Sequence, residues 1–297
     1  MGGRNMCGIC GIILKEHTDS NFLVGALLYK MMESQQVRAQ DSAGIAIYNN
    51  DENCQSNSFS NLAYLMKCEN EYELREEKTT TGFKYSKESD QLVSTLKKDK
   101  NVSIMGYTKE MKLIKNVGLV RDLDKKYNIR SMKGTHGIGH LRIATSSNVD
   151  PSNAHPFSTT VMPDIAVVHN GEIANYSKLR NMLEIKGYPF YSSCDSEVIA
   201  IFLVDQLLQH GDLKRAHDEF IQKADGPFTY IASTNRTLSL VRDRFGTRKG
   251  IVGYNPGSDG IPAFWAMATD LSALDIIGAN KDVKAASPGK SLIFAIE

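Results

Sequence analysis

No apolar run in the chain approaches the ~18–20 residues that a membrane-spanning helix needs, so no membrane association is expected. Charge of one sign is also missing. The formal net charge is +1, which leaves no global field directed at nucleic acid or an anionic membrane. Cysteine is sparse, odd in number and irregularly spaced: five residues that argue against a disulfide framework and for a reducing cytoplasm. Residues 1–5, Met-Gly-Gly-Arg-Asn, are too short and too polar for a signal peptide. Met6 stands where a myristoylation signal would carry Ser or Thr. Internal repeats and low-complexity tracts are absent. No metal constellation emerges either, since His136 and His140 sit in what reads as a Gly-rich strand start. The remaining material is 297 residues at 41% hydrophobic content, enough for one large domain or two small ones.

The pattern of what is present predicts strands at 8–14 and 43–48 and an amphipathic helix over 22–33. Residues 51–135 are rich in Lys, Glu, Asp, Asn and Ser, and read as an elaboration on the core. Within them a helix is expected at 89–96, strands at 102–105 and 113–117, and a helix at 119–129. From Gly137 onward strands are expected at 138–143, 165–169, 228–232, 237–241, 250–254, 263–267 and 291–296. Helices are expected at 175–186, 195–209, 213–223 and 271–277. Strands thus cluster toward both ends with helices between them. That is not the βαβ alternation of a doubly wound sheet; two sheets flanked by helices fit better.

The run Met6-Cys7-Gly8-Ile9-Cys10-Gly11-Ile12 carries the first chemical signal. A cysteine that becomes the first residue of a mature chain has a nucleophilic thiol and its own α-amine as a base. Their ordinary pKa values, ~8.5 and ~7.7–8.0, both lie near working pH. Three other readings compete: a redox dithiol, half a zinc site, or two small buried thiols. A redox C-x-x-C normally opens a helix, whereas strand follows here, and no second C-x-x-C completes a zinc site.

Four polar segments sit at the ends of expected strands. In Gly139-His140-Leu141-Arg142-Ile143-Ala144-Thr145, an arginine in an apolar strand calls for an anion, either an internal carboxylate or a ligand held by its planar fork. In Val167-Val168-His169-Asn170-Gly171-Glu172, Asn-Gly is either a simple turn or a pair of donors forming an oxyanion hole. In Cys194-Asp195-Ser196-Glu197, Asp195 is either a helix N-cap or a carboxylate for a substrate ammonium. Arg242-Asp243-Arg244-Phe245-Gly246-Thr247-Arg248 reads as a turn packed on the core.

Taken in order, MCGICGI, RAQDSAGIAIY, GHLRIAT, AHPF, VVHNGEIANYSKLR, CDSEVIA, RDRFGTR and Pro288-Gly289 resemble the class II glutamine amidotransferase domain, an N-terminal-nucleophile (Ntn) hydrolase. The resemblance runs from Cys7 to about Leu292. It implies an α+β fold, a four-layer αββα sandwich of two mainly antiparallel sheets, as a single domain over 7–297 after a short pro-segment or upstream start at 1–6. It also implies a reaction in which glutamine transfers its γ-acyl group to the cysteine, releasing ammonia, and water then frees glutamate. By motif, Cys7 is the nucleophile and Asn170 and Gly171 are the oxyanion donors. Arg142 binds the glutamine α-carboxylate with Thr145 near it, and Asp195 binds the α-ammonium. Four departures stand out: Ala39 replaces a usual glycine, Cys10 replaces an aliphatic residue, the polar segment 51–135 is longer than a minimal glutaminase domain requires, and Cys7 is preceded by six residues. After Pro288-Gly289 little chain follows, so the ammonia acceptor is expected on a separate synthase subunit. RIATSSNVDPSNAHPF resembles the stand-alone amidotransferase subunit of glutamate synthase-like enzymes, with the amidophosphoribosyltransferase glutaminase domain as the second match. No cofactor is expected on this chain; flavin or iron–sulfur centres would belong to the synthase partner. If Cys7 stays masked, the alternative is a non-catalytic partner protein of the same fold.

Overall fold

The computed structural model describes residues 7–16, 22–49, 111–143, 149–159, 161–162, 164–258 and 260–296 in full, and 60–68, 71–79 and 102–108 as backbone strands. In chain order the elements are β1 (Gly8–Leu14), α1 (Val24–Gln35), β2 (Ser42–Tyr48), β3 (Ser60–Cys68), β4 (Glu71–Thr79), β5 (Val102–Thr108), β6 (Met111–Val117) and α2 (Val120–Tyr127). There follow β7 (His136–Arg142), β8 (Phe157–Ser158), β9 (Ala166–Gly171), α3 (Tyr176–Ile185), α4 (Ser196–His210), α5 (Leu213–Lys223), β10 (Phe228–Ser233) and β11 (Thr237–Arg242). The chain closes with β12 (Ile251–Asn255), β13 (Phe264–Ala268), α6 (Leu271–Asp275), β14 (Lys281–Ala285) and β15 (Ser291–Ala295).

A seven-stranded sheet runs β14-β12-β13-β1-β7-β2-β6, and a five-stranded sheet runs β15-β11-β10-β9-β8. Their strand pairs are antiparallel. Strand alternation then dictates the layers. Ile9 and Ile13 of β1 point inward and pack with Val168, Ile231 and Leu240 of the other sheet. Cys10, Ile12 and Leu14 point the opposite way, against Leu28 and Met31 of α1. On the second sheet Val167, Phe228 and Tyr230 turn outward beneath Val198, Phe202 and Phe220 of α4 and α5. Three buried clusters between successive layers make the αββα sandwich.

The polar stretch 51–135 divides in two. β3, β4 and β5 form a separate sheet in the order β4-β3-β5. β6, by contrast, pairs with β2 along its length, and Ile114, Val120 and Leu123 lie in the α1 cluster. Its lysines hid this: Lys112 is exposed, but Lys115 is buried. The helix expected at 89–96 lies outside the described residues. β3, β4, β8 and β14 were not expected from pattern. β14 is exposed at every position, so it has no apolar alternation to detect.

Candidate active site

The strand registers bring the site together at one end of the sandwich. β1 and β7 are adjacent and antiparallel, with Gly8 opposite Leu141, so Cys7 leaves the sheet alongside Arg142. Cys7 Sγ accepts from the Ile143 N–H at 3.5 Å and lies 3.7 Å from the Ile143 carbonyl. Burial pushes the Cys7 thiol up from its ordinary value. The Ile143 N–H and the cations Arg142 and Arg248 work in the opposite direction. Cys10 faces the α1 side, three positions along the strand, fully buried against the Gly139 carbonyl, and burial pushes its thiol up to about 12. The two sulfurs therefore share no face of the strand, which excludes the dithiol reading.

The second sheet contributes the facing wall. Asn170 at the end of β9 donates its Nδ2 to the Cys7 carbonyl at 2.9 Å, tying the Cys7 backbone to the neighbouring sheet. Gly171 has φ +140°, and a Cβ there would lie 2.1 Å from the Pro227 carbonyl, so the position demands glycine. Asp195 precedes α4 but makes no capping bond. Instead its Oδ2 accepts from the Ile173 N–H at 2.9 Å, and its Oδ1 lies 3.2 Å from Ser196 Oγ and 3.8 Å from His169 Nδ1. The loop before it is held by Glu197, whose carboxylate accepts from the N–H groups of Tyr191 and Ser192, both at 2.8 Å, and from Ser192 Oγ at 2.7 Å.

Cys7, Arg142, Gly171 and Asp195 all line one cleft of 630 Å³. Asn170 is not among the lining residues and bonds instead to the Cys7 carbonyl, while Thr145 lies outside the described residues. Sequence reasoning missed Arg248, His155 and His169 as lining residues. The turn at 242–248 does pack on the core, as expected: Arg242 donates to the carbonyls of Arg248 (2.9 Å) and Ala286 (2.6 Å), and Asp243 accepts from the N–H groups of Phe245 and Thr247. Only its last residue turns toward the cleft. The third arginine of a short, arginine-rich turn was the one available signal.

Two face-to-face antiparallel sheets between helical layers, with a cysteine at the start of a central strand, define an Ntn-type α+β fold. The glutamine amidotransferase domain family matches residues 140–273. A relative from Methanothermobacter thermautotrophicus, carrying a provisional glutamine amidotransferase name, is 32% identical over 98% of this chain and 100% of its own length. The glutamine amidotransferase-like protein GlxB of Rhizobium meliloti is 32% identical over 83% of this chain and 85% of its own. An amidophosphoribosyltransferase of Methanocaldococcus jannaschii is 37% identical over 49% of this chain and 31% of its own. Among solved structures, the glutamine phosphoribosylpyrophosphate amidotransferase of B. subtilis superposes with a TM-score of 0.63 at 21% identity, covering 97% of this chain and 47% of that one. The present chain thus spans about half of that structure, and at such identity the likeness speaks for the fold. This chain belongs to the class II glutamine amidotransferase family. Among the described residues no helix is long and apolar enough to cross a membrane.

Proposed function

We propose that this chain hydrolyses the side-chain amide of glutamine with Cys7 as nucleophile and delivers the ammonia to a partner synthase. The observation that carries the reading is that Cys7, Arg142 and Asp195 line one 630 Å³ cleft. Opposite charges would fix the two ends of an α-amino acid and leave its side-chain amide over the sulfur. Sγ bonds to the amide carbon. The C–N bond then breaks, and the nitrogen leaves as ammonia, taking the proton that the freed α-amine of Cys7 has removed from the thiol. Water attacks the thioester, the C–S bond breaks, glutamate departs and the sulfur regains a proton. Asn170 and Gly171 are assigned to the developing oxyanion; removing one such donor costs ~3–4 kcal/mol of barrier. A base at the α-amine requires a chain that begins at Cys7, so residues 1–6 must be removed.

A glutamate synthase-like acceptor is the first reading for the partner. Its support is the stand-alone resemblance and two amidotransferase relatives matched over 100% and 85% of their length. The M. jannaschii similarity favours a phosphoribosyl acceptor as the second. The test combines intact mass of protein from cells with glutamate release from glutamine. A chain starting at Cys7 that releases glutamate, and a Cys7→Ala variant that folds but does not, are expected. A retained Met1 with no glutamate release would leave a non-catalytic protein of this fold and overturn the proposal.

A further inference from the structure

His155, from the AHPF segment, has no role in the scheme above. It is 4% exposed and lines the cleft with Cys7, Arg142 and Asp195. Neither of its ring nitrogens has a hydrogen-bond partner among the described residues. Other buried imidazoles differ: His140 Nε2 meets the His169 carbonyl at 2.9 Å, His136 Nε2 the Thr234 carbonyl at 2.7 Å, and His217 Nδ1 the Tyr230 hydroxyl at 2.9 Å. A buried polar ring with both nitrogens unmet is costly unless a ligand meets one of them.

The ring is also held in place. It stacks on His140 with centroids 3.9 Å apart and meets the Phe157 ring edge-on at 4.8 Å. Its backbone is seated from two sides. Lys115 donates to the Ala154 carbonyl at 2.8 Å, and Gly44 leaves room where a Cβ would lie 2.1 Å from the His155 carbonyl. The same turn reaches the loop of Asp195, because Asn153 Oδ1 accepts from Ser193 N–H and Oγ, each at 3.2 Å.

Charge selects what the ring can meet. Burial above all, then its neighbours His140 and His169, and last Arg142 from β7 and Lys115 from β6, keep it well below the ordinary imidazole range and hence neutral. A neutral imidazole offers one N–H donor, and the two cations that bear on it, Arg142 and Lys115, favour an anionic group there. We propose that His155 donates a ring N–H to the α-carboxylate of bound glutamine, beside Arg142, as a second determinant for the amino-acid end of the substrate. This rests on the glutaminase reading above.

The experiment compares L-glutamine with its α-methyl ester, which lacks the carboxylate charge, on wild-type protein, His155→Phe and His155→Gln. His155→Phe keeps a ring against His140 but loses the donor. It should raise the glutamine KM roughly ten- to a hundredfold, the range for a hydrogen bond to a charged group, with little change in kcat or in the ester reaction. His155→Gln should recover part of the loss. An unchanged glutamine KM, or equal losses on both substrates, overturns the assignment. Nitrogen-resolved NMR of wild-type imidazoles needs no variant: L-glutamate should shift the His155 ring signals and leave those of His136 in place. Unmoved His155 signals at saturating L-glutamate overturn it too. Wild-type protein with no glutaminase activity would instead overturn the reading of the site itself.

Discussion

Cys7 and Cys10 show how much one residue's surroundings decide. Both thiols are pushed up by burial, but only Cys7 has an N–H and two cations working against it. Cys194, also buried, is pushed up to about 12 by burial first and by Asp195 second. Alkylation with iodoacetamide at pH 8, followed by peptide mass analysis, should therefore label Cys7 and spare Cys10 and Cys194. Equal labelling of Cys10 would contradict the packing described here. Arg142→Ala removes one of the charges that favour the thiolate, so Cys7 should alkylate more slowly in that variant. The same change should raise the glutamine KM, and unaltered affinity would undo the carboxylate role.

At the scale of elements, the site depends on two close approaches of backbone. The β9–β10 junction places Gly171 against Pro227, where a side chain has neither space nor a favourable φ. Gly171→Ala should lose glutaminase activity and about 1–3 kcal/mol of stability in urea titrations. Wild-type stability would show that the junction yields. The loop before α4 depends on Glu197 in a similar way. Glu197→Gln can no longer accept all three of its hydrogen bonds, since one oxygen becomes a donor group. A cost of about 1–3 kcal/mol is expected, with a raised glutamine KM as Asp195 loses its support. A variant with normal stability and KM would separate the loop from the site.

On the scale of the whole molecule, buried histidines couple stability to pH. Burial lowers His136 to about 4 and His140 and His217 to about 3. Below the ordinary imidazole value of about 6.5 the unfolded chain binds protons that the folded one refuses. Stability is thus lost as pH falls from about 6.5 toward 4 and then 3. Asp205 and Asp270, held low by their hydrogen bonds and by the cations Lys186 and Arg38 against the opposing effect of burial, lose their contribution through the carboxylate range. Glu197, raised by burial, acts oppositely there, but as one group against several. Melting temperature should fall steadily between pH 7 and pH 5. A flat profile across that interval would show the histidines to be more accessible than the structure has them.

Much of this was legible before any coordinates. The buried strands Gly8–Leu14 and Phe228–Ser233 and the helix α4 follow from local apolar runs and periods. Ordered motifs named Cys7, Arg142, Asn170, Gly171 and Asp195 as parts of one glutamine site without giving its geometry. β6 was partly concealed because a buried lysine looks like a surface residue in a string of letters. β14 was concealed because a fully exposed edge strand has no hydrophobic period. The sequence by itself determined two sheets flanked by helices and the chemical vocabulary of the cleft, since both depend on residue type and local spacing; the αββα layering was what the family resemblance implied. Only the tertiary structure decided which alternatives held. Asp195 turns to Ile173 rather than capping α4, Arg248 alone of its turn reaches the cleft, and His155 lines it with neither ring nitrogen partnered among the described residues. Those outcomes depend on antiparallel registers and on contacts between residues distant in the chain, from 22 positions for Asp195 and Ile173 to 163 for Cys7 and Asn170, which no local pattern encodes.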